Sequence, residues 1–223
     1  MKFKKILAFT LAEVLITMTI VGAIAAMTIP TLLNKRVQTE RSAKLRKFYS
    51  RMTNAIDLMG MNGQSFKYMN APSSSSAIYD WYIANVDRYM GHKYLDNRRI
   101  YFADGSFLSF NSATDCNMIS EGSGGGANDR CIYSLYDTNG MKLPNIYGAD
   151  RYVFLFCFSP TVRQKYLGNS DTFFGAFSKS VSSTTTDVQM RALCNNSGNN
   201  CRAVCTKWLQ INNWEYPENY PFK

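Results

Sequence analysis

Between Ile6 and Leu33 the chain carries a single charged residue, Glu13. The twenty residues from Val14 to Leu33 carry no charge at all. Wound as a helix they measure about 30 Å, the thickness of a bilayer core. Lys2, Lys4 and Lys5 stand just before the apolar run. A short basic leader followed by an apolar span is the pattern of an export or anchoring signal.

Glu13 is the odd member of this stretch. An ionised carboxylate at bilayer depth costs about 2.5–3.5 kcal/mol, so it calls for a partner. A cut after Ala8 would create one, the free amine of Phe9. An α-amine has a pKa of about 7.7–8 and is mostly charged at neutral pH. The uncut chain is expected to offer Glu13 nothing comparable. An ordinary signal peptide explains the stretch less well, because its apolar run is roughly 7–15 residues and holds no acid. A plain anchor has no use for Glu13.

The residues Ala8-Phe9-Thr10-Leu11-Ala12-Glu13-Val14-Leu15 resemble the processing site of type IV pilins and type II secretion pseudopilins. The resemblance implies cleavage by prepilin peptidase between Ala8 and Phe9, N-methylation of Phe9, and Glu13 as the fifth mature residue. Ala8 stands where that family usually has Gly, and Ala12 where it often has a large aliphatic residue. Pro30 lies where the family often has a helix-kinking proline. The resemblance also orients the span, with the leader inside and the head outside; flanking charge does not, since both ends are basic.

The remaining chain is long enough for a head of its own. After the leader and a long helix, about 160 residues are left, sufficient for one compact domain. Net charge is +9, and loss of the three leader lysines brings it near +6. Tyr and Phe number 14 each, which favours aromatic strands. Six cysteines, Cys116, Cys131, Cys157, Cys194, Cys201 and Cys205, all lie in the C-terminal half. In an exported chain an even count reads as a disulfide framework. The expected bridges are Cys116–Cys131 and one within Cys194, Cys201 and Cys205, with Cys157 as a buried thiol. A zinc site is the rival, but Cys201-x-x-x-Cys205 lacks tight knuckle spacing and His92 is the only histidine.

Residues 9–60 read as one long helix, loosened at Pro30 and softened at Gly22. Leu45, Phe48, Tyr49, Met52, Ala55, Ile56 and Met59 recur at helical spacing and should pack under the head. Lys35, Arg36, Arg41, Lys44, Arg46, Lys47 and Arg51 face them across Glu40 alone. That basic face reads as solvated, as resting near anionic headgroups, or as meeting acidic faces of neighbouring subunits. No nucleic-acid recognition motif accompanies the charge. The expected organisation is thus a leader at 1–8, a membrane and assembly helix at 9–33, its amphipathic continuation at 34–60 and a head at 61–223.

Within the head, 60–77 reads as a loop, and Ile78, Trp81, Tyr82, Val86, Tyr89 and Met90 as a short helix. Arg99–Ala103 and Ser106–Phe110 flank Asp104-Gly105, a pair that favours the primed two-residue hairpin turn. The run Gly122–Gly126 reads as a surface loop, without the spacing of a phosphate-binding one. Asp137-Thr138-Asn139-Gly140, then Pro144-Asn145, then Gly148-Ala149-Asp150 is similar to pseudopilin heads that carry these elements in this order. Some of that class bind calcium in a head loop, and Asp137, Asn139 and Asp150 are oxygen donors of the right kind. The alternative is that they are hydrogen-bonded turn residues. Residues 159–190 read as a polar surface loop, 189–210 as a short element tied down by cysteines, and the Pro-rich aromatic tail as extended on the head.

No nucleophile elbow, P-loop or H-E-x-x-H motif is present. A triad would have to be built on His92. The fold class expected is α+β, a long N-terminal helix on an antiparallel sheet with disulfide-tied loops. The function implied by the resemblance is structural, not enzymatic. It is that of a subunit of a type IV pilus or type II secretion filament, in contact with sibling subunits, prepilin peptidase, assembly machinery and membrane lipid. A minor pilin serving adhesion or DNA capture, with Arg98 and Arg99 as candidate contacts, is the alternative. A membrane-anchored enzyme, with a polar cleft at His92, is the third.

Overall fold

The computed structural model describes residues 9–72, 74, 77–110, 119–120, 129–196 and 202–222. The chain divides into two compact units, one ending at Thr39 and one covering Glu40–Lys223. Helix α1 spans Leu11–Met61 and continues unbroken across Pro30.

In the first unit the large apolar side chains of α1 are exposed, Phe9 at 87%, Leu11 at 81% and Leu32 at 64%. This stretch is long and apolar enough to cross a membrane. Threonines along it turn their hydroxyls back to the helix, Thr19 Oγ1 to the Leu15 carbonyl at 2.8 Å and Thr28 Oγ1 to that of Ile24 at 3.0 Å. Their polar atoms are therefore satisfied within the helix, as a water-poor environment requires.

The second unit is α+β. Among the described residues seven strands form one antiparallel sheet: β1 Tyr94–Asp96, β2 Arg99–Tyr101, β3 Phe107–Ser109, β4 Ile119–Ser120, β5 Arg130–Asp137, β6 Arg151–Cys157 and β7 Phe174–Ala176. Their order is β1-β2-β3-β5-β6-β7, with β4 also paired to β5. The long central pair sets the register, Cys131 opposite Cys157 and Asp137 opposite Arg151. Both central strands are buried along nearly their whole length. The period of two puts Tyr136, Phe154, Phe156 and Phe174 on one face. Phe48 of α1 stacks on Tyr136 at 4.0 Å and meets Phe154 at 5.2 Å. The expected stripe is buried at Leu45, Phe48, Met52, Ala55 and Met59.

A second helical stretch, α2 Ala77–Tyr82, a π-helical turn Ile83–Asp87 and α3 Arg88–Met90, covers the same sheet face. Trp81 and Tyr82 each pack edge-on against Phe156. The opposite face receives α4, Pro160–Leu167, whose Val162 carbonyl lies beside Cys131 Sγ. Two more helices, α5 Asp187–Asn195 and α6 Ala203–Ile211, pair with each other, and α6 lies along β6 and β7. Thr206 Oγ1 accepts the Val153 amide at 3.0 Å, just past the end of the β7 pairing.

The basic residues of α1 differ from their expected role. Lys44 Nζ donates to the Thr138 carbonyl at 2.9 Å and Arg46 Nη2 to that of Asn213 at 2.6 Å. Arg51 Nη2 donates to the Met90 carbonyl. Those carbonyls lie at the ends of β5, α6 and α3, where the backbone lacks a regular partner. Part of the basic face therefore clamps the head onto the helix, and only part is solvated; Lys47 is exposed.

Three local expectations are corrected. Residues 159–190 are not a surface loop: they hold α4 and β7, and Phe173, Phe174 and Phe177 are buried. The signals were Ser159, whose hydroxyl accepts the Val162 amide, Pro160 in the first turn and the left-handed Gly168 after the last. Asp104-Gly105 does not form a primed turn. Phe102 pairs with Ser106 and only Gly105 has positive φ, giving a three-residue hairpin. The two-residue turn lies one hairpin earlier at Asn97-Arg98, both left-handed, between β1 and β2.

The third correction concerns the cysteines. Cys131 bridges Cys157, its cross-strand neighbour, so Cys131 does not pair with Cys116 and Cys157 is not a lone thiol. Cys194 bridges Cys205, one of the three pairings left open for the expected bridge within the C-terminal three. Cys116, Cys201 and the Gly122–Gly126 run lie outside the described residues. Loop-closure entropy gives the two bridges, spanning 26 and 11 residues, about 3.5 and 2.8 kcal/mol.

Candidate functional site

Two regions carry the residues singled out in the sequence. The first is the start of α1. Glu13 Oε2 accepts hydrogen bonds from the Thr10 amide at 2.9 Å and the Thr10 hydroxyl at 2.8 Å. Thr10 Oγ1 accepts the Glu13 amide at 3.2 Å. This is a capping box, in which a Thr and a Glu three residues on satisfy each other's orphan amides. Glu13 thus has a hydrogen-bond partner in Thr10, a neutral one that leaves its charge in place. The signal was present in Thr10-Leu11-Ala12-Glu13, and Thr10 is the residue that sequence reasoning missed. Ala8 lies outside the described residues. Phe9 precedes the first helical turn with its ring exposed.

The second region is the turn system between β5 and β6. The structure brings Asp137, Asn139 and Asp150 together as expected. Both carboxylates are fully buried. Asp150 Oδ1 accepts the Ile146 amide at 2.6 Å, and its Oδ2 accepts the Asn145 amide at 2.8 Å and Asn139 Nδ2 at 3.0 Å. Asp137 Oδ1 accepts the Asn139 amide at 3.1 Å and its Oδ2 accepts Arg151 Nε at 3.0 Å. Each of the four carboxylate oxygens thus faces an N–H donor, and Asn139 turns its amide nitrogen, not its oxygen, toward Asp150. The arrangement is a hydrogen-bonded turn, and Asn139 Oδ1 and Asn145 Oδ1 are buried in it without a hydrogen-bond partner among the described residues. Among the described residues no group of three or more His, Cys, Asp or Glu is placed to hold a metal.

Burial pushes the Asp137 carboxyl up to about 6, against the opposing pull of Arg151 and the Asn139 amide. Gly140 and Gly148 have φ of +74° and +86°, and Asn145 is left-handed too. A side chain at Gly148 would meet the Phe222 ring at 2.7 Å and Cys205 Sγ at 2.9 Å. The turn is thereby locked to the tail, and Tyr220 donates its hydroxyl to the Gly148 carbonyl at 2.7 Å. The tail folds back on the head, as its aromatic residues suggest, through Trp214 against Tyr49 and Phe154.

His92 pairs with Asp87, Nδ1 to Oδ2 at 2.7 Å. Asp87 is buried at the end of the π-helical turn, and its Oδ1 and the buried Tyr82 hydroxyl have no hydrogen-bond partner among the described residues. The four described cysteines are all bridged. Arg99 lies over the Phe107 ring at 5.5 Å.

No curated protein matches the chain, and no solved structure does. A family model does match, over residues 31–223, which takes in the amphipathic part of α1 and the whole head. The chain therefore belongs to the family of unknown function DUF6613.

Proposed function

We propose that the chain is a pilin-like or pseudopilin-like structural subunit of a type IV pilus or type II secretion filament. It enters the inner membrane as a precursor, is cut between Ala8 and Phe9, and is N-methylated on Phe9. The head then lies in the periplasm or outside the cell. One observation carries the reading. An apolar helical segment with every large side chain exposed, its one acid near the start, precedes a compact head. Such a surface is stable only in lipid or against other apolar helices. In the filament, Glu13 exchanges its Thr10 partner for the Phe9 amine of a neighbour, neutralising both charges and fixing register.

Intact-mass and N-terminal analysis of protein from its own membrane tests this. The expected product begins at N-methylated Phe9; a chain still beginning at Met1 would sink the assignment. Glu13→Ala should be cleaved normally and fail to enter filaments.

A further inference from the structure

The turn between β5 and β6 ends in an apolar tip. Met141, Lys142, Leu143 and Pro144 are all exposed, Leu143 at 84% and Met141 at 57%, and Ile146 beside them at 39%. Among the described residues of the head, no other six-residue stretch exposes three large apolar side chains. The tip stands on a fixed base. Asp150 holds the Asn145 and Ile146 amides, and Gly148 closes against Phe222 and Cys205. Such a base keeps the apolar side chains in water instead of letting the loop fold them onto the head.

The β5–β6 pair runs lengthwise along the head's part of α1. At one end Phe66, just past α1, stacks on Phe173 at 3.5 Å, and the Phe173 carbonyl accepts the Cys157 amide at 2.9 Å. Further along, Phe48 stacks on Tyr136, and Lys44 reaches the Thr138 carbonyl. The strand then leads into the tip. The tip therefore lies toward the end of the head at which the chain enters, at Glu40. Lys35 and Arg36, which follow the uncharged run, stand only a few residues before that point. Basic residues closing an apolar span mark the level of the lipid headgroups.

The composition of the tip suits that level. Aliphatic side chains reach the acyl boundary while a lysine between them keeps its ammonium among phosphates. The apolar helix of a sibling subunit would offer Lys142 no acid beyond Glu13. We propose that the Met141–Ile146 tip is a second membrane contact, with Met141, Leu143 and Ile146 at the acyl boundary of an anionic bilayer and Lys142 among its headgroups. The proposal rests on the membrane-spanning part of the reading above, not on cleavage or filament entry.

Tryptophan fluorescence of the full chain tests it, in vesicles of phosphatidylglycerol and a phosphatidylcholine brominated on its acyl chains. Leu143→Trp probes the tip. Met61→Trp is the control, an exposed position at the far end of α1. Each is read against the unsubstituted chain and against unbrominated lipid, with thermal melts confirming that each folds. The Leu143→Trp emission should shift to the blue and lose intensity in brominated lipid, and that of Met61→Trp should do neither. Carbonate extraction of the same vesicles reads the span separately. Release of the chain by carbonate would overturn the membrane reading and this proposal with it. A retained chain with no shift or quenching at Leu143→Trp, or with equal quenching at Met61→Trp, would overturn the proposal alone.

Discussion

A methyl group at Gly148 would have nowhere to go. Its two nearest neighbours, the Phe222 ring and the Cys205 sulfur, belong to the tail and to a bridged helix. Positive φ adds strain for any L side chain. Gly148→Ala should therefore destabilise the head by about 2–4 kcal/mol, read as a lowered melting temperature. Adding Phe222→Ala should recover part of the loss; no recovery would mean that backbone strain alone is responsible. Asp137 gives a second residue-scale test. Unfolded it titrates near 3.9, and folded at about 6. Between those values the folded state holds more protons, so this group's contribution to stability falls as pH rises from about 4 to 6. Carboxyl-carbon NMR should place its midpoint near 6. A midpoint below 4 would show that Arg151 outweighs burial.

At the scale of the element, α1 is held to the head by two kinds of contact. The apolar stripe supplies burial, and Lys44, Arg46 and Arg51 supply hydrogen bonds to carbonyls at the ends of β5, α6 and α3. A charged donor to a backbone carbonyl is worth about 1.5–3 kcal/mol when shielded. Lys44 is largely covered, with Glu40 beside it at 2.9 Å, while Lys47 is exposed. Lys44→Met should thus cost about 1–2 kcal/mol, and Lys47→Met should be close to neutral. Chemical denaturation of the two variants side by side checks this. Equal effects would return the whole basic face to a solvated or lipid-facing role.

For the molecule as a whole, the core cluster among the described residues begins at Leu45 and belongs to the second unit. A chain starting at Glu40 retains the buried stripe, the sheet and both described bridges. It should be water-soluble and melt cooperatively, as near-UV circular dichroism would show, whereas the full chain should require detergent. A fragment without a cooperative transition would mean that the apolar segment contributes to the stability of the head.

The sequence by itself determined what depends on near neighbours along the chain. The apolar span and the helical stripe from Leu45 to Met59 are periodic signals, and periodicity survives without tertiary contacts. The turn around Asp137, Asn139 and Asp150 was legible for the same reason, since its hydrogen bonds close within fourteen residues. The Thr10–Glu13 capping box and the Ser159-Pro160 start of α4 were equally local and went unread. Tertiary structure alone decided which cysteines meet, because Cys131 and Cys157 become neighbours only through the β5–β6 register. It alone turned lysines and arginines of α1 from a free face into clamps, since their carbonyl partners lie 39 to 167 residues away. Charges and thiols carry no period that reveals a partner, and their roles follow from where packing brings distant segments together.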